Sequence, residues 1–402
     1  MSAAQLPGLN IFVPLAGIGD RFLRSGYWRP KPFIKVQGKE LLLWLLEGLS
    51  LTADDNIIFI FNKKPEVGTS PSNFFVVVDD YLSQLGAHKP NVTYVSLSEP
   101  TLGAAQTVLY GIDALSSEHR ERPCVLLDGA TFYGVDILSQ YRDLLQKLFH
   151  QKQARAQTLG GCLFVFEDDK PDESIYSYVK FAEDDADHTS IVGIKEKDKT
   201  EMSRFACSGC YCFHDTNALA REISSAILAF SQHSDRRLRE LYTSMVVGEM
   251  LIKGGEFRAL KLSTSDFHVL GTPLQVQRFI DVEHGLHKKR FCFDLDGTLV
   301  TAPKVPGDYS SCEPIERIVS YIQKMHAEGH YIIIHTARRM RTHGGNVGGV
   351  LADVGLVTLT QLNQFSIPYD EIIFGKPFAD FYIDDKAILP FVDELHKETG
   401  YR

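Results

Sequence analysis

The stretch Phe291-Cys-Phe-Asp294-Leu-Asp296-Gly-Thr298-Leu-Val300 decides how the last quarter of this chain is read. An apolar run ends at two carboxylates one residue apart, and Gly297 and Thr298 then break it into a turn. Side chains alternate along a strand, so Asp294 and Asp296 share a face. The run makes their surroundings dry, and two acids set there repel each other unless a cation neutralises them. Mg²⁺ suits such a pair, because it takes hard oxygen ligands and keeps some waters for a phosphate. A strand end with solvated acids is the plain alternative, and this stretch alone leaves both open.

Three later stretches decide. Tyr331-Ile-Ile-Ile-His-Thr336 ends in a hydroxyl, Glu371-Ile-Ile-Phe-Gly-Lys376-Pro377 ends near a lysine, and Asp380-Phe-Tyr-Ile-Asp384-Asp385 ends in two acids. Four buried strands, each with a polar group at its C-terminal end, describe a parallel α/β sheet with its site at the carboxyl edge. A nucleophile, an acid/base, a hydroxyl, a cation and further metal ligands make a phosphoryl-transfer set. In this order the stretches resemble the four motifs of the haloacid dehalogenase (HAD) superfamily. The resemblance implies that Asp294 attacks phosphorus and forms an aspartyl-phosphate, and that Asp296 protonates the leaving group and then activates water. It further implies that Thr336 and Lys376 hold the phosphoryl oxygens. Asp384 and Asp385 would complete a Mg²⁺ site with Asp294 and Asp296.

Arg338, Arg339 and Arg341 follow Thr336 and are expected near the mouth of that site. There they grip a second phosphate or a carboxylate of the substrate, or else cap the following helix or pair with surface acids. Pro314 is read as opening a helix that reaches about Glu328, and a helix pair is expected between Thr336 and Lys376. Neither gap holds a separate cap domain, so the unit is read as capless.

A chain of 402 residues exceeds one ordinary core, so two domains are expected. A hydrophobic content of 44% with 23% charged residues is that of a soluble globular protein. The net charge of −9 gives no global attraction to nucleic acid or to acidic membranes, so phosphorylated substrates must be held by local cations and metal. Cys207, Cys210 and Cys212 cluster, but Cys207-Ser-Gly-Cys-Tyr-Cys alternates like a strand, which makes buried thiols the reading. Seven scattered cysteines form no disulfide framework and fit a reducing cytosol. Leu41-Leu-Leu-Trp-Leu-Leu46 is the longest strongly apolar run and is cut by Glu47, so it is read as a buried helix rather than a membrane span. The expected location is cytoplasmic.

The first part opens with a strand, Asn10-Ile-Phe-Val-Pro-Leu-Ala16, running into Gly17-Ile-Gly19-Asp20-Arg21. Two glycines let a backbone approach a phosphate closely. The third glycine of a dinucleotide fingerprint and the lysine of a Walker A loop are both missing. Arg29-Pro30-Lys31-Pro32 then sets a lysine between two prolines that hold its backbone extended.

With the helix after Lys39, these features resemble the sugar-phosphate nucleotidyltransferases, or nucleotide-sugar pyrophosphorylases, over roughly the first 280 residues. The resemblance implies a Rossmann-like mixed sheet, with Arg21 and Lys31 neutralising a triphosphate while a sugar 1-phosphate attacks the α-phosphorus. Pro100-Thr-Leu-Gly103-Ala-Ala-Gln106-Thr107 resembles the family's base-binding turn and helix, and Asp128 ends the strand that carries its metal-binding aspartate. Glu196 and Lys197 would meet the sugar hydroxyls and the sugar phosphate, beside Gly209 in the family's sugar-pocket order. Two positions depart from the family pattern: Asp20 stands where Ser or Thr is usual, and Val269 stands where an acid is usual before Gly271-Thr272-Pro273. A carboxylate beside a triphosphate repels it unless a metal intervenes.

The sequence therefore predicts an α/β protein of two domains. Residues 1–286 form a Rossmann-like mixed-sheet nucleotidyltransferase domain, and residues 287–402 a capless HAD Rossmannoid phosphatase. The expected partners are an NTP, a sugar or polyol phosphate, a small phosphate ester and Mg²⁺, with no nucleic acid and no membrane. A homo-oligomer is one way to cover the open phosphatase site. The setting is nucleotide-sugar and polysaccharide metabolism, by analogy. The alternative keeps the phosphatase and makes the first domain a non-catalytic nucleotide- or sugar-binding module; the departures at Asp20 and Val269 favour it, and the Arg21–Lys31 pair favours transfer.

Overall fold

The computed structural model describes residues 8–17, 19–27, 29–62, 72–151, 160–169, 175–232, 240–282, 288–384, 386–390 and 399. The chain divides into two units, residues 1–34 with 39–276, and residues 35–38 with 277–402.

In chain order the strands are β1 (Asn10–Pro14), β2 (Lys35–Val36), β3 (Lys39–Glu40), β4 (Asn56–Asn62), β5 (Asn91–Leu97), β6 (Cys124–Leu127), β7 (Thr131–Tyr133), β8 (Gly160–Glu167), β9 (Ser177–Phe181), β10 (Ser190–Glu196), β11 (Phe205–Phe213), β12 (Glu256–Leu262), β13 (Phe267–Val269), β14 (Arg290–Phe293), β15 (Tyr331–Thr336) and β16 (Glu371–Phe374). The helices are α1 (Asp20–Arg24), α2 (Leu41–Glu47), α3 (Ser72–Gln84), α4 (Ala104–Asp113), α5 (Ile137–Gln151), α6 (Thr216–Gln232), α7 (Thr243–Ile252), α8 (Pro273–Val282), α9 (Glu316–Ala327), α10 (Val347–Val350) and α11 (Leu356–Gln364).

Unit 1 is built on a nine-stranded mixed sheet ordered β5-β4-β1-β6-β11-β8-β12-β10-β9. The strands β5, β4, β1 and β6 run parallel, with Ile11 opposite both Ile57 and Val125. The apolar runs of β1, β4 and β6 are covered on both faces, as inner parallel strands require: Ile11, Phe12, Ile57, Ile58 and Val125 are fully buried. Strand β11 pairs antiparallel with both β6 and β8, β12 runs parallel to β8, and β10 and β9 complete the sheet antiparallel. Helix α4 buries Ala105, Val108 and Ile112 against this sheet. Gly111 lets it approach closely, because a Cβ there would stand 2.9 Å from Ile60 Cδ1. The Leu41 run folds as α2 and buries Leu41, Leu42, Leu45 and Leu46. No helix among the described residues is long and apolar enough to cross a membrane. The five cysteines of this unit are buried free thiols, three of them in β11.

Unit 2 carries a parallel three-stranded sheet ordered β14-β15-β16. Its core gathers Leu295, Leu299, Val300, Ile318, Ile322, Ile332, Ile334 and Leu362. Helix α9 links the first two strands. The connection from β15 to β16 is one helical run instead of the expected pair: α10 passes through a π-helical turn at Leu351–Gly355 into α11. Helix α8 lies across the division between the units, which falls at 276/277 rather than at the expected 286/287. Residues 283–287, at the expected boundary, lie outside the described residues.

The expected fourth strand is not formed. Residues 380–384 are irregular, with Phe381 85% and Ile383 98% exposed. Local contacts hold them as a loop instead: Tyr382 donates its hydroxyl to the Pro377 carbonyl, Lys376 lies over the Tyr382 ring, and Asp384 accepts from the Lys386 amide. The apolar run Phe381-Tyr-Ile383 suits a buried strand, but no backbone ladder receives it.

Candidate active sites

In unit 2, β14 delivers Asp294 and the turn that follows delivers Asp296. Gly297 takes the left-handed φ of +78° that the turn needs, and its amide donates to the Val300 carbonyl. At the ends of β15 and β16 the Thr336 carbonyl accepts both the Gly375 and Lys376 amides, at 3.3 and 3.1 Å. That fixes the backbone from which Lys376 Nζ reaches Asp294 Oδ1 at 2.9 Å. Thr336 is buried, and its hydroxyl accepts the Arg338 amide at 3.1 Å.

The three arginines after Thr336 take separate partners. Arg338 is 2% exposed and binds the Asp296 carboxylate through Nε and Nη2. Arg339, at φ +56°, binds Asp353 at 2.8 Å, and Arg341 lies over the Phe378 ring. The expected ligand-gripping cluster is thus occupied by internal pairs at Arg338 and Arg339. Burial pushes the Asp296 carboxyl above the ordinary aspartate range; Arg338 pulls it down and the neighbouring Asp294 adds to the rise.

The expected four-aspartate Mg²⁺ set is not assembled among the described residues, where no group of three or more His, Cys, Asp or Glu side chains is gathered. Asp294 and Asp296 each hold a protein cation, and Asp384 is exposed on its loop. Asp385 lies outside the described residues.

In unit 1 a cavity of about 1110 Å³ opens where β1, β4 and β6 end. Gly17, Gly19, Asp20, Arg21, Lys31 and Gly103 line it, as do Asp128, Glu196, Gly209 and Val269. Ile18, between the two glycines, lies outside the described residues. Gly19 adopts φ +72° before α1, and a Cβ there would stand 3.3 Å from Lys31 Cβ, so the glycine turn and the proline-flanked lysine pack together. Lys31 Nζ extends to within 3.8 Å of the point a Cβ on Gly271 would occupy. Asp20 pairs with Arg24 at 2.5 Å. Among the described residues the Arg21 and Lys31 side chains have no ion-pair or hydrogen-bond partner.

Across the same cavity lining, Glu196 ends β10 and accepts from the Ser177 and Ser244 hydroxyls at 2.5 and 2.8 Å. Ser177 Oγ lies 3.3 Å from the Tyr211 hydroxyl, which burial keeps a neutral phenol. Asp128 follows β6 at the rim, and Gly209, at φ +95°, faces it closely: a Cβ there would stand 3.1 Å from Asp128 Cβ. Asp128 gives one carboxylate, which fits an ion whose other ligands are phosphate oxygens and water.

No family model matches the chain, and no curated protein matches it. Among solved structures, a nucleoside-diphosphate-sugar pyrophosphorylase from Vibrio cholerae RC9 superposes with a TM-score of 0.51 at 20% identity, over 67% of this chain and 98% of that one. The first unit has that fold. A UDP-glucose pyrophosphorylase solved with UDP-glucose gives a TM-score of 0.49 at 16% identity over 67% of this chain and 95% of its own. A structural-genomics target from Vibrio cholerae, whose description names no activity, is 37% identical over 28% of this chain and 93% of its own, with a TM-score of 0.26. At scores below 0.5 these last two likenesses do not define a shared fold.

On the pyrophosphorylase fold, two expected site residues have other work. Gln106 does not line the cavity; its Oε1 accepts the Leu102 amide and closes the turn before α4. Lys197, at φ +55°, donates to the Tyr242 hydroxyl at 2.9 Å and lies over that ring, and this hydrogen bond raises its pKa. Ser177, Ser244, Tyr211 and Tyr242 went unnoticed in the sequence as partners of Glu196 and Lys197, because the contacts form only when β9, β10, β11 and α7 assemble.

Proposed function

We propose that unit 1 transfers a nucleotidyl group from an NTP to a sugar or polyol phosphate. An oxygen of the acceptor phosphate bonds to the α-phosphorus, the bond from that phosphorus to the bridging oxygen breaks, and pyrophosphate leaves. The observation that carries this reading is the pair Arg21 and Lys31, two cations without partners among the described residues, lining one cavity with the hydroxyl-supported Glu196. Cations placed where triphosphate charge gathers stabilise the transition state electrostatically. Glu196 accepts hydroxyl hydrogen bonds from the acceptor. Mg²⁺ would be held by Asp128 and would neutralise phosphate charge when bound. Asp20 lines the same cavity with its carboxylate paired to Arg24. The test is pyrophosphate release from a panel of NTPs with sugar 1-phosphates and polyol phosphates. Release that requires both substrates is expected; binding without release would favour the binding-module reading.

For unit 2 we propose hydrolysis of a phosphate monoester through an aspartyl-phosphate on Asp294. Support comes from the order Asp294, Asp296, Thr336, Lys376 at the carboxyl ends of three parallel strands, and from the Lys376–Asp294 pair. No step is assigned to a metal here. Phosphate release from p-nitrophenyl phosphate tests this reading directly.

A further inference from the structure

Arg338 is the most thoroughly engaged cation of unit 2. Nε donates to both Asp296 oxygens at 3.0 and 2.9 Å, and Nη2 donates to Oδ1 at 2.9 Å. Nη1 donates to Thr358 Oγ1 at 2.9 Å, and Thr358 in turn donates to the Val354 carbonyl at 2.7 Å, inside the π-helical turn. The Tyr309 ring lies 4.7 Å from the guanidinium, Cys312 Sγ lies 3.9 Å from Nη2, and the side chain has no exposed surface. A guanidinium with four of its five N–H groups engaged, a ring over its face and no exposed surface is closed to a substrate phosphate.

Resting on the phosphatase reading of this unit, we infer that Arg338 is a positioning residue that acts through Asp296, and not a substrate-binding one. It fixes the carboxyl in the rotamer from which a proton reaches the leaving oxygen. In that step Asp294 forms a bond to phosphorus and the phosphorus–oxygen bond of the ester breaks. The leaving oxygen keeps the electron pair and takes the proton from Asp296. The π-helical turn contributes by setting Thr358 under Nη1; such turns recur at functional sites.

The demand for that proton depends on the ester. An alkoxide is a poor leaving group and needs it, whereas p-nitrophenolate leaves largely without it. The experiment uses the full chain and compares 2-glycerophosphate with p-nitrophenyl phosphate for the wild type, Arg338→Lys, Arg338→Gln, Asp296→Asn and the double variants. Because general acid catalysis is worth about 10²–10⁴-fold, the arginine variants are expected to lose about 10²-fold in kcat/KM on the alkyl ester, the quantity that reports formation of the aspartyl-phosphate. On the aryl ester kcat/KM should fall far less, whereas kcat falls on both esters wherever their shared aspartyl-phosphate limits turnover. In the Asp296→Asn background, Arg338→Lys should add nothing. Equal losses of kcat/KM on both esters, or a full further loss in the double variant, would overturn the proposal. If both arginine variants fail to fold, Thr358→Val keeps the test open. It removes one acceptor and leaves the ion pair, and it should move the alkyl-to-aryl ratio in the same direction; an unchanged ratio counts against the proposal. A wild type that hydrolyses neither ester removes the phosphatase reading, and the proposal with it.

Discussion

Lys376 Nζ stands 2.9 Å from Asp294 Oδ1, so the ammonium after β16 and the carboxylate after β14 meet across the end of the middle strand β15. The pair joins two segments more than eighty residues apart in sequence and sets the proposed nucleophile beside the charge that would receive phosphoryl oxygens.

Asp294→Asn is expected to abolish phosphatase turnover while the protein stays folded. The amide is nearly isosteric but cannot act as the nucleophile, and losing one charge relieves repulsion with Asp296. The check is phosphate release together with the melting temperature. Near wild-type turnover in the variant would exclude the aspartyl-phosphate.

Lys31→Ala and Arg21→Ala should each weaken nucleotidyl transfer and leave phosphatase turnover unchanged. The loss of one electrostatic donor costs about 2–4 kcal/mol of transition-state stabilisation. Steady-state rates of both activities on each variant provide the measurement, and unaltered transfer in both would remove these roles.

Gly209→Ala should harm both stability and transfer. At φ +95° an L-residue is strained by about 1–3 kcal/mol, and its Cβ would press on Asp128 Cβ at 3.1 Å. A lowered melting temperature with a larger loss in transfer than in phosphatase turnover is expected.

His330 makes unit 2 less stable in mild acid. Burial lowers its pKa, and Lys288 and Lys289 add to the effect, while Nδ1 accepts the Lys289 amide at 3.1 Å. The unfolded chain therefore binds a proton that the folded unit resists, so stability falls as pH drops below the unfolded value of about 6.5. Denaturant midpoints of the wild type and His330→Gln at pH 7 and 5.5 should show a smaller acid loss in the variant.

Much of this was legible locally. The strands at Ile57 and Val92, the α2 helix and the turns at Gly19 and Gly297 follow from short-range pattern and backbone freedom. The sequence could not display partners drawn from other elements. Arg338 reads equally as a grip on substrate or as a helix cap or partner of a surface acid until the fold brings Asp296, Tyr309 and Thr358 around it. Asp20 reads as an unpaired carboxylate beside phosphate until α1 brings Arg24 within 2.5 Å of it. Residues 380–384 carry the short apolar run of a buried strand, and a run alone does not supply the neighbouring ladder that a strand needs.

The most direct measurement follows the α-phosphorus. NTP labelled at that position is incubated with the full chain and a panel of sugar and polyol phosphates, and the products are separated. The account predicts that the label moves into a nucleoside-diphosphate ester, with one pyrophosphate released per transfer and the reaction lost in Lys31→Ala. Label that stays in the NTP with every acceptor, or appears only as nucleoside monophosphate, would contradict it.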